Sequence, residues 1–220
     1  MIRCENLSKK YDDKTWGLCE ATLEISDGTM VAIIGRSGSG KTTLMNLIGS
    51  LDSPTTGSII VDGNNLSIMT QKEAANYRLN KIGFVFQTFY LEPKYTVYEN
   101  VEMPLLIAGI SRRERQERVY SVLSQVDMQH KAMNYGNNLS GGEKQRICIA
   151  RALVNNANII LADEPCGNLD SETGSVIMKL LRDLTNVGKT VLLVTHNADD
   201  ASIADRRIIV KDGRVSDFDK

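Results

Sequence analysis

Met30-Val-Ala-Ile-Ile34-Gly35-Arg36-Ser37-Gly38-Ser39-Gly40-Lys41-Thr42-Thr43 joins five apolar residues to a glycine-rich turn, a lysine and two threonines. An apolar run of this length ending in glycine reads as a buried strand. Leu44, Leu47 and Ile48 follow at helical spacing. Strand, turn and helix in that order are the context that the pattern G-x-x-x-x-G-K-[ST] requires. Its glycines let backbone N–H groups wrap a phosphate, and the positive end of the helix favours the anion. Lys41 is then placed to reach the β- and γ-phosphates of ATP, and the Thr42 hydroxyl to hold Mg2+. An ordinary strand–turn–helix connection would leave the three glycines, the lysine and the paired threonines without a reason.

Outward from this stretch, Ile82–Phe86, Ile159–Ala162, Val191–Val194 and Ile208–Val210 read as further buried strands with helical patterns between most of them. That alternation predicts an α/β fold with a mostly parallel central sheet. Residues 171–187 carry Val176, Ile177, Leu180, Leu181 and Leu184 on one helical face, as a crossover helix would. Leu18–Ile25 and Ser58–Val61 predict an antiparallel β flank, and Ile208–Val210, Asp212-Gly213 and Arg214-Val215 a terminal hairpin. Residues 90–135 lack strand-like runs. Ser111 with Glu114 predicts a capping box there, followed by Val119, Val122, Leu123 and Val126 at helical spacing. The chain therefore reads as a single domain over 1–220, with 1–89 and 136–220 as the α/β core and 90–135 as a helical insertion. The arginine-rich run 112–118 is a solvated face or a partner-docking one.

The composition narrows the function. With 220 residues, 42% of them hydrophobic, the chain can bury a full core. Lys and Arg total 26 against 27 Asp and Glu, so no polybasic field invites nucleic acid or anionic lipid. A membrane-spanning helix needs roughly 20 apolar residues, and Met30–Ile34 is the longest uninterrupted run. The N-terminus has no secretory or lipidation pattern, which points to the cytoplasm. Cys4, Cys19, Cys148 and Cys166 show no C-x-x-C pairing and read as fillers in a reducing compartment.

Three more strands end in groups suited to a triphosphate, a metal and a water. Ile159–Ala162 runs into Asp163 and Glu164. Asp163 suits a carboxylate that holds magnesium, and Glu164 the base that orients the attacking water, although acids after strands also cap the next segment. Gln87 follows Ile82–Phe86 and His196 follows Val191–Thr195. Gln87 is expected to sense magnesium or water, and His196 to hydrogen-bond the γ-phosphate or the lytic water.

Leu139-Ser140-Gly141-Gly142-Glu143 opens another helix, continued by Ile147, Ala150, Leu153 and Val154. Ser140 and Glu143 have capping-box spacing. A cap does not need two glycines in the first helical turn, where each costs up to about 1 kcal/mol relative to alanine. Their presence predicts a close approach to the backbone and a second anion site.

This run resembles the signature motif of ABC ATPases, and its combination with the phosphate loop separates that family from other P-loop proteins. The resemblance covers the chain in order, and implies a P-loop NTPase core in the ABC ATPase architecture. By resemblance, Tyr11 matches the aromatic that stacks on adenine, though such a tyrosine is also a common strand-edge residue. Residues 35–42 match the Walker A loop, with Thr43 beside it in the nucleotide-binding set. Gln87 matches the glutamine loop, Asp163 and Glu164 match Walker B and the catalytic glutamate, Asp170 the aspartate loop and His196 the switch histidine. The family implies a head-to-tail homodimer in which each ATP lies between Lys41 of one copy and Ser140 of the other. It also implies an integral membrane permease as partner, gripped by the helical insertion and the groove beside Gln87, which would hold the chain peripherally on the inner face of the membrane.

Leu161-Ala-Asp-Glu-Pro-Cys-Gly-Asn-Leu-Asp170, Ile82-Gly-Phe-Val-Phe-Gln87 and Glu99-Asn-Val-Glu-Met-Pro104 are similar to ATPases of the lipoprotein-releasing and macrolide-export type. Cell-division and peptide-antibiotic-resistance ATPases stand near this group. Extraction or export of a lipoprotein, peptide or drug-like substrate is the expectation, with the driving of a non-transporting membrane regulator as the alternative. Cys166 stands where threonine is usual there, and a thiol so placed raises the question of oxidant sensitivity. Glu143 replaces the wider family's glutamine, a variant the lipoprotein-releasing type shares. A soluble DNA or ribosome module fits poorly with one cassette filling the chain. A kinase sharing only the phosphate loop would leave Ser140-Gly-Gly idle.

Overall fold

The computed structural model describes residues 1–12 and 14–218. The chain divides into two compact units, Met1–Arg78 with Arg182–Lys220, and Leu79–Leu181.

The first unit opens with strands β1 (Ile2–Lys10) and β2 (Trp16–Ile25), β3 (Met30–Ile34), helix α1 (Lys41–Ile48), β4 (Thr56–Val61) and β5 (Asn64–Asn65), and then α2 (Gln71–Lys81). β2, β1, β4 and β5 form an antiparallel sheet in that order. Its core face carries Ile2, Cys4 and Leu7 from β1, Leu18, Ala21, Leu23 and Ile25 from β2, and Ile59 and Val61 from β4. The buried set of β1 changes from even to odd positions because the register shifts between Cys4 and Leu7, where Asn6 takes φ 46°. Asp62 at φ 49° and Gly63 at φ 79° make the tight turn from β4 to β5. The expected β flank is thus present. β1 and α2 had no signal strong enough to predict: β1 mixes charged residues into its pattern, and α2 buries only Tyr77.

The second unit contains β6 (Ile82–Phe86), α3 (Val97–Ile107), α4 (Arg112–Gln125), α5 (Gly141–Leu153) and β7 (Ile159–Asp163). β6 and β7 pair in parallel, with Phe86 opposite Asp163. Thr96 and Glu99 close a full capping box on α3. The box expected at Ser111 is only half formed: Ser111 accepts the Glu114 N–H, but the Glu114 carboxylate turns to Arg118 at 2.5 Å. A cation one helical turn away outcompetes a neutral amide for that carboxylate. Val119, Val122, Leu123 and Val126 are buried as expected. Neither reading of the arginine run fits Arg115, which pairs with Glu102 at 2.6 Å and bonds the Ile110 carbonyl at 2.7 Å, tying α4 to α3.

Helix α6 (Ser171–Asn186) buries Ile177, Met178, Leu181 and Leu184, which corrects the expected face. Val176 lies five positions before Leu181, off the i, i+3, i+4 stripe, and is 49% exposed. Leu180 is half-buried.

Beyond α6, in the first unit, come β8 (Thr190–Val194), α7 (Ala198–Ser202), β9 (Arg206–Lys211) and β10 (Arg214–Asp217). β8 and β9 flank β3 in parallel, and β10 closes on β9 as the expected antiparallel hairpin through Asp212 and Gly213, both at positive φ. Among the described residues no helix is long and apolar enough to cross a membrane. None of the four cysteines is in a disulfide, and burial pushes the Cys4 thiol up to about 12 and the Cys148 thiol up to about 11.

The start of β3 is anchored by Asp205, which accepts the Met30 N–H at 2.8 Å and both arms of the Arg182 guanidinium at 2.6 and 2.7 Å. Arg182, helped by that N–H, holds the Asp205 carboxyl below the usual carboxylate range. A depressed folded-state pKa gives stability that is complete above the unfolded value, about 3.9, and is lost as pH falls through the folded one. Asp205→Asn is therefore expected to melt below the wild type at neutral pH, with the gap narrowing as pH falls below about 3.9 and through the folded-state pKa. Thermal melts across that range check it; a gap independent of pH would assign the loss to packing.

Candidate functional site

In the first unit, β3 delivers the chain to Gly35, where a Cβ would lie 2.2 Å from the Val210 carbonyl oxygen of β9. At the other end of the loop Gly40 takes φ 111° and runs as close to the Gly17 carbonyl, again 2.2 Å from where a Cβ would be. Only glycine lets the loop leave the sheet and enter α1 at these two points. Gly40 gives α1 no side-chain cap, so the first helical N–H groups are left to a ligand. Lys41 is buried and curls back over the loop, its ammonium donating to the Gly35 and Arg36 carbonyls at 2.9 Å each. Ser39 Oγ is buried in the same loop with no hydrogen-bond partner. A buried hydroxyl and an uncapped helix start are groups that phosphate oxygens can bond. Arg36, Ser37, Gly38 and Ser39 edge a 490 Å³ depression closed on its far side by Ile209–Asp212.

Thr42 is exposed in the first turn of α1, while Thr43 is buried and shares a 3.2 Å hydrogen bond with the Tyr11 hydroxyl. The Tyr11 ring passes over Gly17, where a Cβ would stand 2.7 Å from Cε2, and it is 53% exposed. This residue follows β1 and stands beside the phosphate-loop helix with its ring half-exposed. β3 and β8 set Ile33 opposite Val194, and the Thr195 N–H bonds the Ile33 carbonyl at 3.3 Å. His196 therefore leaves the sheet at the same end as Gly35, and it is exposed.

In the second unit, Gln87 and Glu164 are the first residues beyond the paired Phe86 and Asp163. Asp163 and Glu164 are half-buried. Glu164 takes φ 46°, a left-handed conformation that costs a non-glycine residue energy and recurs at functional sites. Asn168, which the sequence reading missed, locks onto Gln87 from both sides: its Nδ2 donates to the Gln87 carbonyl at 3.0 Å and its Oδ1 accepts from Gln87 Nε2 at 3.4 Å. Asp170 is exposed and starts α6, accepting the Thr173 N–H at 2.9 Å and its hydroxyl at 2.8 Å. Those bonds hold its carboxyl below the usual range.

Ser140 and Glu143 close the expected capping box on α5, with Ser140 Oγ accepting the Glu143 N–H and Glu143 accepting the Ser140 N–H. Glu143 also pairs with Lys131, which holds its carboxyl below the usual range, helped by the Ser140 N–H. The two glycines also have a packing reason. A Cβ on Gly142 would stand 2.3 Å from Thr173 Cγ2, and one on Gly141 3.2 Å from Leu169 Cδ2. Side chains of the same unit thus make a close approach of their own. Gly142→Ala is expected to lower the melting temperature, and Thr173→Ser, which removes that methyl and keeps the hydroxyl for Asp170, is expected to restore it. If ATP turnover fails to recover with stability, the glycine serves a ligand as well as packing; melts and turnover on the double variant decide this.

The Thr42 hydroxyl, Gln87 amide oxygen and Asp163 carboxylate are hard oxygen donors of the kind magnesium takes. Among the described residues no three His, Cys, Asp or Glu side chains gather as a metal cluster. Magnesium bound with a nucleotide does not need one, since phosphate oxygens supply part of its shell.

An α/β core whose strand runs into a phosphate loop, carboxylates at another strand end and a serine-glycine helix start define a P-loop ATPase. The family profile described as ABC transporter matches residues 18–167. The chain is 43% identical, over 98% of its length and 95% of the relative's, to an ABC transporter ATP-binding protein, YknY, of Bacillus subtilis. It is 41% identical to the macrolide export ATP-binding/permease protein MacB of Vibrio parahaemolyticus, covering 98% of this chain but spanning only 33% of that relative. Among solved structures, the dimeric post-hydrolysis state of the ATP-binding cassette MJ0796 bound to ADP and Pi superposes with TM-score 0.88 at 41% identity, covering 100% of both chains. The chain belongs to the ABC transporter family, as one of its ATPase cassettes.

Proposed function

We propose that this chain binds ATP with magnesium, hydrolyses it as a head-to-tail homodimer, and drives export or extraction of a substrate through a separate integral membrane permease. Residues 1–89 and 136–220 act as the α/β core of one domain, and 90–135 as its helical arm toward the permease. The observation that carries the reading is that one chain holds both a phosphate loop at Gly35–Thr42 and a second, serine-capped glycine start at Ser140. The similarity to a macrolide-export protein and to a dimeric cassette supports the transport and dimer parts.

In the reaction Tyr11 stacks on the adenine, the loop from Gly35 to Thr43 cradles the phosphates and Lys41 spans the β- and γ-groups. Ser140, Gly141 and Gly142 of the second copy close on the γ-phosphate, with Asp170 lining that junction. Glu164 orients the attacking water and takes its proton, and His196 hydrogen-bonds the γ-phosphate. Thr42, Gln87 and Asp163 would hold the magnesium, which would neutralise charge on the phosphate oxygens. The experiment is to retrieve tagged Glu164→Gln from native membranes with ATP and identify what accompanies it. An integral membrane partner with a large extracytoplasmic domain supports the reading, and movement of substrate in reconstituted vesicles separates a transporter from a regulator. A soluble complex with no membrane protein would overturn the transport role and leave the ATPase.

A further inference from the structure

After β6 the chain runs through Gln87 to Tyr90 with no helix or strand of its own. One face of α5 holds this segment down. Gln145, Cys148 and Arg151, spaced three apart, donate to carbonyls of this segment and of Phe86 at the end of β6: Gln145 Nε2 to Phe86 at 3.4 Å, Cys148 Sγ to Phe89 at 3.1 Å, Arg151 Nη2 to Phe89 at 2.8 Å and Arg151 Nη1 to Tyr90 at 2.6 Å. Gln145 is wholly buried and its Oε1 has no partner. An apolar residue of similar size would escape that desolvation cost, so packing alone does not explain an amide there. Phe86 and Tyr90 also meet edge to face, with centroids 5.5 Å apart, folding the segment back on itself.

We propose that Arg151 and Gln145 are positioning residues that clamp the segment carrying Gln87 to the helix begun by Ser140, so that the glutamine and the serine-capped helix start are held as one piece. A displacement of the segment then reaches Ser140 through α5 without passing through the strands. This rests on the reading of Gln87 as a group that meets magnesium or the lytic water.

Arg151 is half-exposed, so its variants test the clamp without opening the core as Gln145 variants would. Arg151→Met keeps the apolar stem and loses both carbonyl bonds, while Arg151→Lys keeps the charge without the fork. In Arg151→Met, backbone amides of residues 87–91 are expected to exchange hydrogen about tenfold faster, and kcat to fall about tenfold with the KM for ATP within about twofold. Arg151→Lys should recover part of both. In a Gln87→Ala background Arg151→Met should cost little more, because both act through one group. Unchanged exchange at 87–91 would overturn the clamp. Fully additive losses would overturn the positioning role and make Arg151 merely structural. Wild-type turnover in Gln87→Ala would overturn the reading of Gln87 and the positioning role with it, and the exchange rates would then support or overturn the clamp alone.

Discussion

Glu164→Gln is expected to lower ATP turnover about 10³-fold while ATP binding persists, so that an ATP-loaded dimer accumulates. The amide keeps the shape and polar contacts of the carboxylate but cannot accept a proton from water. It also removes a negative charge from the neighbourhood of the γ-phosphate in the proposed complex, which favours retention of ATP. Glu164 holds a left-handed backbone at φ 46°, so a second variant separates strain from chemistry. Glu164→Gly fits that conformation without steric cost, and stability should hold or rise. Turnover should still be lost, because the carboxylate and not the backbone is the reacting part. Phosphate release and gel filtration with ATP measure both properties. Wild-type turnover in Glu164→Gln would hand the base role to another group, with His196 the first to test.

What could be read from the sequence follows from how local each signal is. Strands β3, β7 and β8 are short apolar runs buried on both faces, β6 is one buried on one face and half-buried on the other, and the chain itself states where each one stops. The residues at those ends, Gly35, Gln87, Asp163 and His196, were legible for the same reason. β1 and α2 were not, since a bulge at Asn6 breaks the alternation of one and the other is polar almost all round. Contacts between distant segments were beyond reach of any periodicity. The Asn168 amide on Gln87, the Thr173 methyl against Gly142 and the α5 side chains on the Phe86–Tyr90 carbonyls join residues from about 30 to about 80 positions apart. The glycine pair shows the limit most clearly. Its composition announced a close approach, but whether a ligand or a neighbouring helix makes it depends on packing that spacing does not encode.

Lys41→Ala is expected to weaken ATP binding on the order of 10²-fold, as loss of one partner from a buried, hydrogen-bonded charge pair does. Lys41 is 9% exposed, and within the loop its ammonium donates to the Gly35 and Arg36 carbonyls, both neutral. A cation so placed is poorly compensated until an anion enters, and the β- and γ-phosphates supply one. Removing it should not unfold the protein: alanine is the best helix former at this first position of α1, and the desolvated charge goes with the side chain. The melting temperature without nucleotide is therefore expected to hold or rise, while the stabilisation that Mg-ATP gives the wild type should nearly vanish. Lys41→Arg should not rescue, since a planar guanidinium cannot enter the space a compact ammonium takes between two loop carbonyls. Calorimetric titration with ATP, paired with melts in its presence and absence, separates the two effects. Undiminished affinity in Lys41→Ala would contradict the phosphate cradle itself, and every role assigned to Thr42, Asp163 and Glu164 depends on a triphosphate held there.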